Sequence, residues 1–540
     1  MTKNKVIRNL LLWIVLVLML PLFLRAVFGP VHLLEIYKAR TIDNNALLLF
    51  IAMIALWLWL NRVHRVLSAK IDFLFLLVLF LTVFQHDVQR LHVESDGVGY
   101  FSYLHTMYMD RDLDFTNEYA DLDAYRYGVW AYADLEAKIP KTSAVGMVPN
   151  NFSIGPALLW YPFYGFTDLI YRTNHPQRTG YETPYLQSVH FASLFYGFAG
   201  VLLLYVSLLR FFSRTVSLTA VLTILFLSPL YFYLKNLAFY SHVYSFFAVS
   251  LFLYFFAKYH ESERVGHWAA FGLLVGFSAL MRWQNAVFIA IPGLMALLRF
   301  WRVPKEGRTV LAFLAKLTAL GSGFVLALIP QLLAFQILFG KFWLIPQGDS
   351  FMTLWPRWGW QALFSPFHGL FHWHPFLFFG LLGFFLRRMN RSAAANSVFY
   401  SGAAGFALQS YVNGSIRQFH GGGSFGGRRF CDSLAFLAFG IANFIERILG
   451  SKKSRIIFLI IGNLFFVLNA MMEKAWAWRM LSLDLPVPFQ LLAGHAGQAF
   501  VQFSHGPHKQ ILFFVFSILF INLYAVLLFL EERRVLLGKG

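Results

Sequence analysis

The sequence contains one cysteine, Cys431, in 540 residues. A single thiol cannot form an internal disulfide and cannot supply a cysteine-based metal site. Charged residues are also scarce, at 13% of the chain, whereas an ordinary soluble domain carries about 25%. This shortage of charge, together with 58% hydrophobic residues, excludes an ordinary soluble globule and indicates a membrane protein.

Linkers are absent as well. No Gly/Ser-rich or proline-rich stretch separates parts of the chain, and no sequence motif recurs at a fixed period. We therefore expect residues 1–540 to form a single integral membrane domain, with its chemistry on one face of the membrane.

Long apolar runs are abundant, and many reach the roughly 17–25 residues that cross a bilayer. Lipid offers no partner for backbone amides, so such segments must be helical. The sequence predicts an all-α, polytopic membrane protein with about 14 transmembrane helices and outer loops that carry short helices. The predicted spans are 8–28, 45–61, 71–86, 185–209, 216–233, 240–257, 267–281, 285–299, 310–337, 372–386, 393–412, 430–446, 456–472 and 511–530.

Basic residues set the orientation of these spans. More than half of the 45 Lys and Arg fall in every second connection between spans. Positively charged loops stay in the cytoplasm, so both termini are predicted to be cytoplasmic. The long outer segments are then 86–184, 340–371 and 473–509. In the first, the short apolar stretch 157–170 predicts a re-entrant or interfacial helix.

The first outer segment begins with two acidic residues, Glu94 and Asp96, where the chain leaves a predicted span. Charges at this depth are costly and usually functional. A helix over residues 97–109 would place Asp96, Tyr100 and Tyr103 on one face. Asp96 is then the favoured general base for a polar substrate, with Glu94 as the second candidate.

Asp96 has a simpler alternative role. An Asp ahead of a first helical turn accepts backbone N–H bonds, so Asp96 would only cap the helix. The two roles can coexist. Gly97 and Gly99 are expected to leave open room for an acceptor beside the carboxylate.

Three groups of basic residues lie in predicted outer segments, where the charge pattern places few Lys and Arg. The first is the pair Arg428 and Arg429. This pair follows a glycine-rich run at 421–427. A glycine-rich turn exposes backbone N–H groups, and two adjacent guanidinium groups favour a phosphate. The alternative is a close-packed glycine turn whose arginines extend to lipid headgroups.

The other two cationic sites are Arg282, in the motif Met-Arg-Trp-Gln-Asn at 281–285, and Lys235 with its neighbour His242. All three side chains fall at predicted outer helix ends. They are candidates to clamp the phosphate of a leaving group. The alternative is that they form interhelical ion pairs, as many buried charges do.

Potential metal ligands occur in two places. His368, His372 and His374 are spaced so that two of them share a helical face, but flanking prolines favour an irregular segment. The acidic run at 110–121 offers Asp at four calcium-loop positions (Asp110, Asp112, Asp114 and Asp121), but Phe115 stands where that loop needs glycine. We therefore expect no cofactor and no metal, with a divalent ion as the less favoured case.

Several motifs together resemble the GT-C superfamily of glycosyltransferases that use polyprenyl-phosphate sugars. The chain is most similar to a bacterial group akin to the protein O-mannosyltransferase and aminoarabinose-transferase branch. The resemblance covers about residues 71–445. It is carried by Ser-Asp-Gly-Val-Gly-Tyr at 95–100, Tyr-Ser-His at 240–242, Met-Arg-Trp-Gln at 281–284, Leu-Phe-Ser-Pro-Phe-His-Gly at 363–369 and Ser-Phe-Gly-Gly-Arg-Arg at 424–429.

The resemblance implies inverting transfer of a sugar from a polyprenyl-phosphate donor to a hydroxyl or amine of a glycan, lipid or protein. It places the reaction at the outer face of the bacterial cytoplasmic (inner) membrane. Gln284, Trp358 and His368, together with Tyr100 and Tyr103, are the candidates for binding substrate, because aromatic walls hold sugar rings.

Two other classes of membrane protein remain open. A transporter or lipid flippase would also have many spans and buried charges, with its site near the midplane between paired repeats. The sequence shows no such pairing, and its polar motifs cluster on one side. An O-antigen polymerase or ligase-like protein is the second alternative. Nucleic acid is not an expected partner, because the basic residues follow membrane topology.

Overall fold

The computed structural model describes residues 93–122, 132–134, 139–140, 142–302, 309–386, 392–448 and 451–506, with parts of 72–83 and 511–523. The predicted spans at 8–28 and 45–61 lie outside these residues. Helices dominate the described part, which confirms the all-α class. Its strands are the short antiparallel pair β1 (Tyr132–Asp134) and β2 (Ile139–Pro140).

The helices form where apolar runs predict them, and several begin at serine caps. Ser213, Ser392 and Ser451 each precede a helix and accept a backbone N–H bond from its first turn. The helices are α1 (Asp96–His105), α2 (Thr116–Asp121), α3 (Gly155–Tyr171), α4 (Thr183–Leu209), α5 (Arg214–Phe226), α6 (Pro229–Asn236), α7 (His242–Tyr259), α8 (Val265–Met281), α9 (Ala290–Arg302), α10 (Val310–Phe339), α11 (Gly359–Phe364), α12 (Leu370–Trp373), α13 (Phe378–Phe385), α14 (Ala393–Ser415), α15 (Leu434–Ile448), α16 (Lys452–Ala477) and α17 (Phe489–Ser504).

Fewer helices than predicted are long and apolar enough to cross a membrane. In the described part of the chain there are four: α4, the joined segment Trp283–Arg302, α10, and Ile456–Ala477 within α16. A fifth arises if α5 and α6, bent by 60° at a short break, count as one span. The prediction of about 14 spans is therefore not confirmed. One reason is that some apolar runs form shorter helices, of 17 residues in α8, 15 in α15 and 8 in α13.

The break between α5 and α6 falls at Ser228 and Pro229. Proline has no N–H and interrupts the helical hydrogen bonds. Asn469 of α16 compensates, since its Nδ2 donates to the carbonyls of Phe226 at 2.8 Å and of Ser228 at 3.2 Å. A polar neighbour therefore satisfies the backbone groups that the break leaves open, as an apolar surrounding requires.

Glycines bring α8 and α10 into close contact. A Cβ on Gly272 would lie 1.8 Å from the carbonyl oxygen of Leu320, and one on Gly323 would lie 2.0 Å from that of Ala269. Gly276, one turn after Gly272, also faces α10. Small residues at such spacing are typical of packed membrane helices. This contact holds the end of α8, where Arg282 follows.

The first outer segment differs in detail from its prediction. The helix predicted over 97–109 is α-helical only to His105, and a π-helical turn, Thr106–Asp110, completes it. Arg111 then takes a left-handed φ of 64° and ends the turn. The stretch predicted as a re-entrant or interfacial helix forms α3, which leaves Phe166 and Leu169 exposed.

Charged residues lie at both ends of the helices. Asp72 pairs with Arg214 at the start of α5, at an end that the charge pattern assigns to the cytoplasm. The opposite ends of α6, α7 and α8 meet the start of α1 and the glycine-rich run. The sequence motifs that carry candidate chemistry are gathered there.

Candidate active site

Asp96, the first residue of α1, is held by a cation from a distant part of the chain. Nη1 of Arg428 donates to Oδ2 of Asp96 at 2.8 Å, and the two side chains are 12% and 26% exposed. Ser95 occupies the helix-cap position with φ 50°, and no side chain makes a capping bond there. Asp96 therefore pairs with Arg428 and does not serve as the helix cap.

Gly97 and Gly99 do not leave open room beside Asp96, so that prediction is wrong. A Cβ on Gly97 would lie 2.9 Å from Cβ of Phe239, and one on Gly99 would lie 2.0 Å from Cδ2 of Phe152. The two glycines allow α1 to pack against these aromatic rings. An acceptor would have to approach Asp96 from another side.

A chain of hydrogen bonds joins α1 to the end of α8. Ser241 Oγ donates to the Tyr100 hydroxyl at 2.8 Å, and Arg282 Nη1 donates to Ser241 Oγ at 3.1 Å. Burial raises the pKa of Tyr100, and the positive charge of Arg282 opposes this shift. Tyr100 is therefore a neutral hydroxyl at neutral pH, close to both Asp96 and Arg282.

His242 lies beside the same guanidinium group. Arg282 Nη1 is 3.1 Å from Nδ1 of His242, and because arginine only donates, Nδ1 must accept. The imidazole proton of the neutral ring is then on Nε2. That nitrogen is buried and has no hydrogen-bond partner in the described part of the chain. His242 thus offers an unused donor next to a cation.

Asp432, three residues after Arg429, compensates the charge of Arg282. Its Oδ2 lies 3.6 Å from Nε of Arg282 and accepts from Nε2 of Gln284 at 2.9 Å. Gln284 in turn accepts from Arg282 Nη2 at 3.1 Å and donates to the backbone carbonyl of Arg429 at 2.8 Å.

The glycine-rich run shapes the backbone that presents Arg428 and Arg429. Gly421, Gly422 and Gly426 have φ of 76°, 74° and 61°, a left-handed conformation that glycine adopts without strain. Nη2 of Arg428 donates to the carbonyl of Gly421. The arginines begin a three-residue 3₁₀ segment, Arg428–Phe430, which precedes α15. The close-packed turn is therefore present, and it directs Arg428 to Asp96.

Arg429 has no carboxylate within ion-pair distance among the described residues, and its Nε has no hydrogen-bond partner there. Its guanidinium group lies 5.9 Å from the ring centroid of Phe351. Burial lowers the pKa of Arg429 to about 9, and the positive charges of Arg428 and Arg282 act in the same direction. We call Arg282, Arg428 and Arg429 the arginine cluster. Three guanidinium groups share two carboxylates, Asp96 and Asp432, which leaves one positive charge in excess.

Three other predicted residues make their contacts elsewhere. Lys235 is buried and pairs with Glu473, Nζ to Oε2 at 3.2 Å, which is the interhelical ion pair considered as its alternative role. The Tyr103 hydroxyl donates to the carbonyl of Asn150 at 3.5 Å, within a buried aromatic group. Glu94 is half-buried, and its carbonyl accepts from Gly97 N at 2.9 Å.

Trp358 and His368 make their hydrogen bonds outside the arginine cluster. Trp358 is half-buried, and its backbone N–H donates to the carbonyl of Gly414 at 2.9 Å. The preceding residue, Asn413, donates from its side chain to the Arg429 carbonyl at 3.1 Å. His368 is buried, and its Nε2 bonds to the carbonyl of Leu483 at 2.7 Å. Burial lowers the pKa of His368 to about 4, so its ring is neutral.

The potential metal ligands form neither the histidine group at 368–374 nor the calcium loop at 110–121 that the sequence offered as candidates. In the described residues, His368, His372 and His374 belong to no group of metal-ligating side chains. Asp112 and Asp114 accept hydrogen bonds from their own loop. The structure instead brings His105, Asp110 and Glu118 together.

Sequence reasoning missed two residues that organise the site, Ser241 and Asp432. Ser241 lies inside the Tyr-Ser-His motif, and Asp432 lies close to the two outward arginines. Asp432 could have been found from its position, because an acidic residue lies close in sequence to two arginines in a predicted outer segment. Nothing in the sequence indicated that Ser241 would bridge Tyr100 and Arg282.

Comparisons with known proteins give little beyond this geometry. No family model matches the sequence, and no curated protein matches it. Among solved structures, the chain is similar to the crystal structure of the Archaeoglobus fulgidus oligosaccharyltransferase in the apo form, with 10% identity and a TM-score of 0.40. The match covers 80% of this chain and 57% of that one, so the chain spans little more than half the length of that protein.

Proposed function

We propose that this protein is a membrane glycosyltransferase of the GT-C type. In this proposal it transfers a sugar from a polyprenyl-phosphate donor to a hydroxyl or amine of a glycan, lipid or protein, at the outer face of the bacterial cytoplasmic membrane. The observation that carries the proposal is the arginine cluster, in which Arg428 pairs with Asp96 and Arg429 has no carboxylate partner among the described residues. The sequence resemblance described above supports the same reaction class.

The arginine cluster suits the phosphate end of the donor. A lipid phosphate brings negative charge, and Arg429 is a cation without a carboxylate partner in the described residues. The unused Nε2–H of His242 adds a neutral donor nearby. When the bond between the sugar C1 and the phosphate oxygen breaks, the charge that develops on the departing phosphate is stabilised by these groups.

Asp96 suits the other half of the reaction. The acceptor oxygen or nitrogen forms a bond to C1 from the face opposite the phosphate, and its proton passes to Asp96. The contact with Arg428 fixes the position of the Asp96 carboxylate in the absence of substrate. A phosphate that competes for Arg428 would free the carboxylate as the donor binds, so that donor binding activates the base.

Removing the base tests this proposal. We expect Asp96→Asn to fold, to bind lipid donor and to lose at least about 100-fold in turnover, the low end for a positioned general base. Glu94→Gln is the matched control and should lose less. The measurement is release of polyprenyl phosphate by the purified protein from synthetic polyprenyl-phosphate mannose and aminoarabinose.

Two results would contradict the assignment. Normal turnover in Asp96→Asn together with an inactive Glu94→Gln would make Glu94 the base. Movement of lipid or solute across vesicles by the wild type, with no sugar transfer to any acceptor, would replace the enzyme by a transporter.

A further inference from the structure

His105, Asp110 and Glu118 form a second polar cluster, at the far end of α1 from Asp96. His105 ends α1, Asp110 ends the π-helical turn, and Glu118 lies in α2. One potential ligand atom from each residue lies within 4.8 Å of the other two. At 1.5 Å per helical residue, the cluster is roughly 14 Å along α1 from Asp96. It is therefore separate from the arginine cluster.

The hydrogen bonds of His105 define which nitrogen faces the acids. Nε2 lies 2.8 Å from the carbonyl of Thr179, which can only accept, so Nε2 carries a proton. The other nitrogen, Nδ1, lies 2.9 Å from Oε1 of Glu118 and 3.4 Å from Oδ2 of Asp110. In a neutral ring this places a nitrogen lone pair against carboxylate oxygens, which is unfavourable unless a proton or a metal ion lies between them.

The environment of Glu118 also favours a bound cation. Its side chain is fully buried, and that of His105 is 4% exposed. Glu118 Oε2 has no hydrogen-bond partner in the part of the chain that the structure describes. A buried carboxylate with an unsatisfied oxygen is costly unless it is neutralised or binds a metal. Asp110, 31% exposed, opens the cluster to solvent.

The arrangement has the form of a metal site. A metal-bound histidine usually donates its second ring N–H to a carbonyl or carboxylate, as His105 does to Thr179. Ligands about 2.0–2.2 Å from a tetrahedral zinc ion lie roughly 3.3 Å apart, close to the separations from Nδ1. The Tyr181 hydroxyl lies 3.3 Å from the same Nδ1, and its ring stacks on the imidazole with a centroid distance of 4.2 Å.

We propose that His105, Asp110 and Glu118 bind a divalent transition-metal ion through one imidazole nitrogen and two carboxylate oxygens. Imidazole with carboxylates suits zinc better than calcium or magnesium, which prefer oxygen ligands alone. The ion would join the end of α1, the π-helical turn, α2 and the Thr179 loop. Its role is to position α1, and binding does not depend on the proposed transfer reaction.

Metal binding by the full-length protein, purified in detergent without a histidine tag and treated with chelator, tests this proposal. We expect one Zn²⁺ per chain by calorimetry, a higher Tm with ZnCl₂, and much weaker binding of CaCl₂. Glu118→Gln and Asp110→Asn should each weaken Zn²⁺ binding at least about 10-fold. Asp112→Asn is the matched control and should bind as the wild type, because its Oδ1 can keep accepting from Thr106.

Asp110→Asn changes a partly exposed residue and so provides a test that does not depend on the buried Glu118. Wild-type Zn²⁺ affinity in both ligand variants would overturn the proposal, and so would the absence of any Zn²⁺ binding. In the latter case a proton on His105 would be the cation between the acids. Calcium binding that Asp112→Asn abolishes would also overturn it, in favour of a calcium loop.

Discussion

Two half-buried arginines, Arg214 and Arg429, differ in whether the fold compensates their charge. Arg214 donates from Nε and Nη2 to the two oxygens of Asp72, at 2.5 and 2.7 Å, and Tyr205 donates to the same carboxylate. Arg429, at the opposite end of the helices, has no carboxylate partner in the described residues and an Nε without a hydrogen bond. The first cation is matched by its own fold.

The difference between Arg214 and Arg429 follows from the energetic cost of burying charge. A buried charge is tolerated when a partner and hydrogen bonds satisfy it, and such a pair holds elements together. An unmatched, partly buried cation lowers the stability of the free protein, and a bound anion would offset that cost. The pair of Arg214 and Asp72 is therefore structural, whereas Arg429 belongs to a candidate anion site.

The largest expected effect comes from breaking the matched pair. Arg214→Ala leaves Asp72 buried and uncompensated, so we expect a loss of about 3–5 kcal/mol in the free energy of unfolding. Unfolding in mixed detergent micelles measures it. The control is Arg210→Ala, which removes an exposed arginine from the same loop and should have little effect. If Arg214→Ala and Arg210→Ala lowered the free energy of unfolding equally, the pair of Arg214 and Asp72 would have no special structural role.

The buried histidine His368 extends the comparison of Arg214 and Arg429, because its ring is neutral. Its folded-state pKa of about 4 lies below the usual 6.5, so only the unfolded chain takes up a proton as the pH first falls. The neutral His368 ring therefore makes its full contribution to the free energy of unfolding above pH 6.5. This contribution, about 3 kcal/mol, is lost as the pH falls from 6.5 through 4.

His368→Asn should therefore flatten the dependence of Tm on pH between 7 and 4. Asn tolerates the left-handed φ of 64° found at this position. His175→Asn, at an exposed histidine, is the control and should keep the wild-type profile. A wild-type slope in the His368 variant would show that other groups control acid unfolding.

The smallest expected effect on stability has the opposite sign. Arg429→Gln removes the unmatched cation, and we expect the protein to become more stable by about 1 kcal/mol. The same change should weaken binding of lipid phosphate at least about 10-fold, because a charge-assisted hydrogen bond is lost. Arg417→Gln, at an exposed arginine, is the control for both measurements. A less stable Arg429→Gln with unchanged binding would make Arg429 a structural residue.

Part of the candidate site followed from the sequence. Asp96, Arg282 and Arg428 attracted attention as charges at predicted outer helix ends, and the structure brings them together with Tyr100 and His242. The roles of these residues stay predictions. Lys235 met the same sequence criterion, but it pairs with Glu473. Charge placement alone could not separate these outcomes, because both residues lie at helix ends and only packing determines which partner each one reaches.

The sequence by itself determined the helical class and the alternation of basic connections, since apolar runs must form helices in lipid and cations follow the membrane potential and insertion rules. The tertiary structure decided which helix ends meet. It placed Phe239 and Phe152 against Gly97 and Gly99, brought Ser241 between Tyr100 and Arg282, and joined His105 to Glu118. Such contacts join residues far apart in the chain, and they depend on helix packing angles and side-chain volumes that no local pattern records.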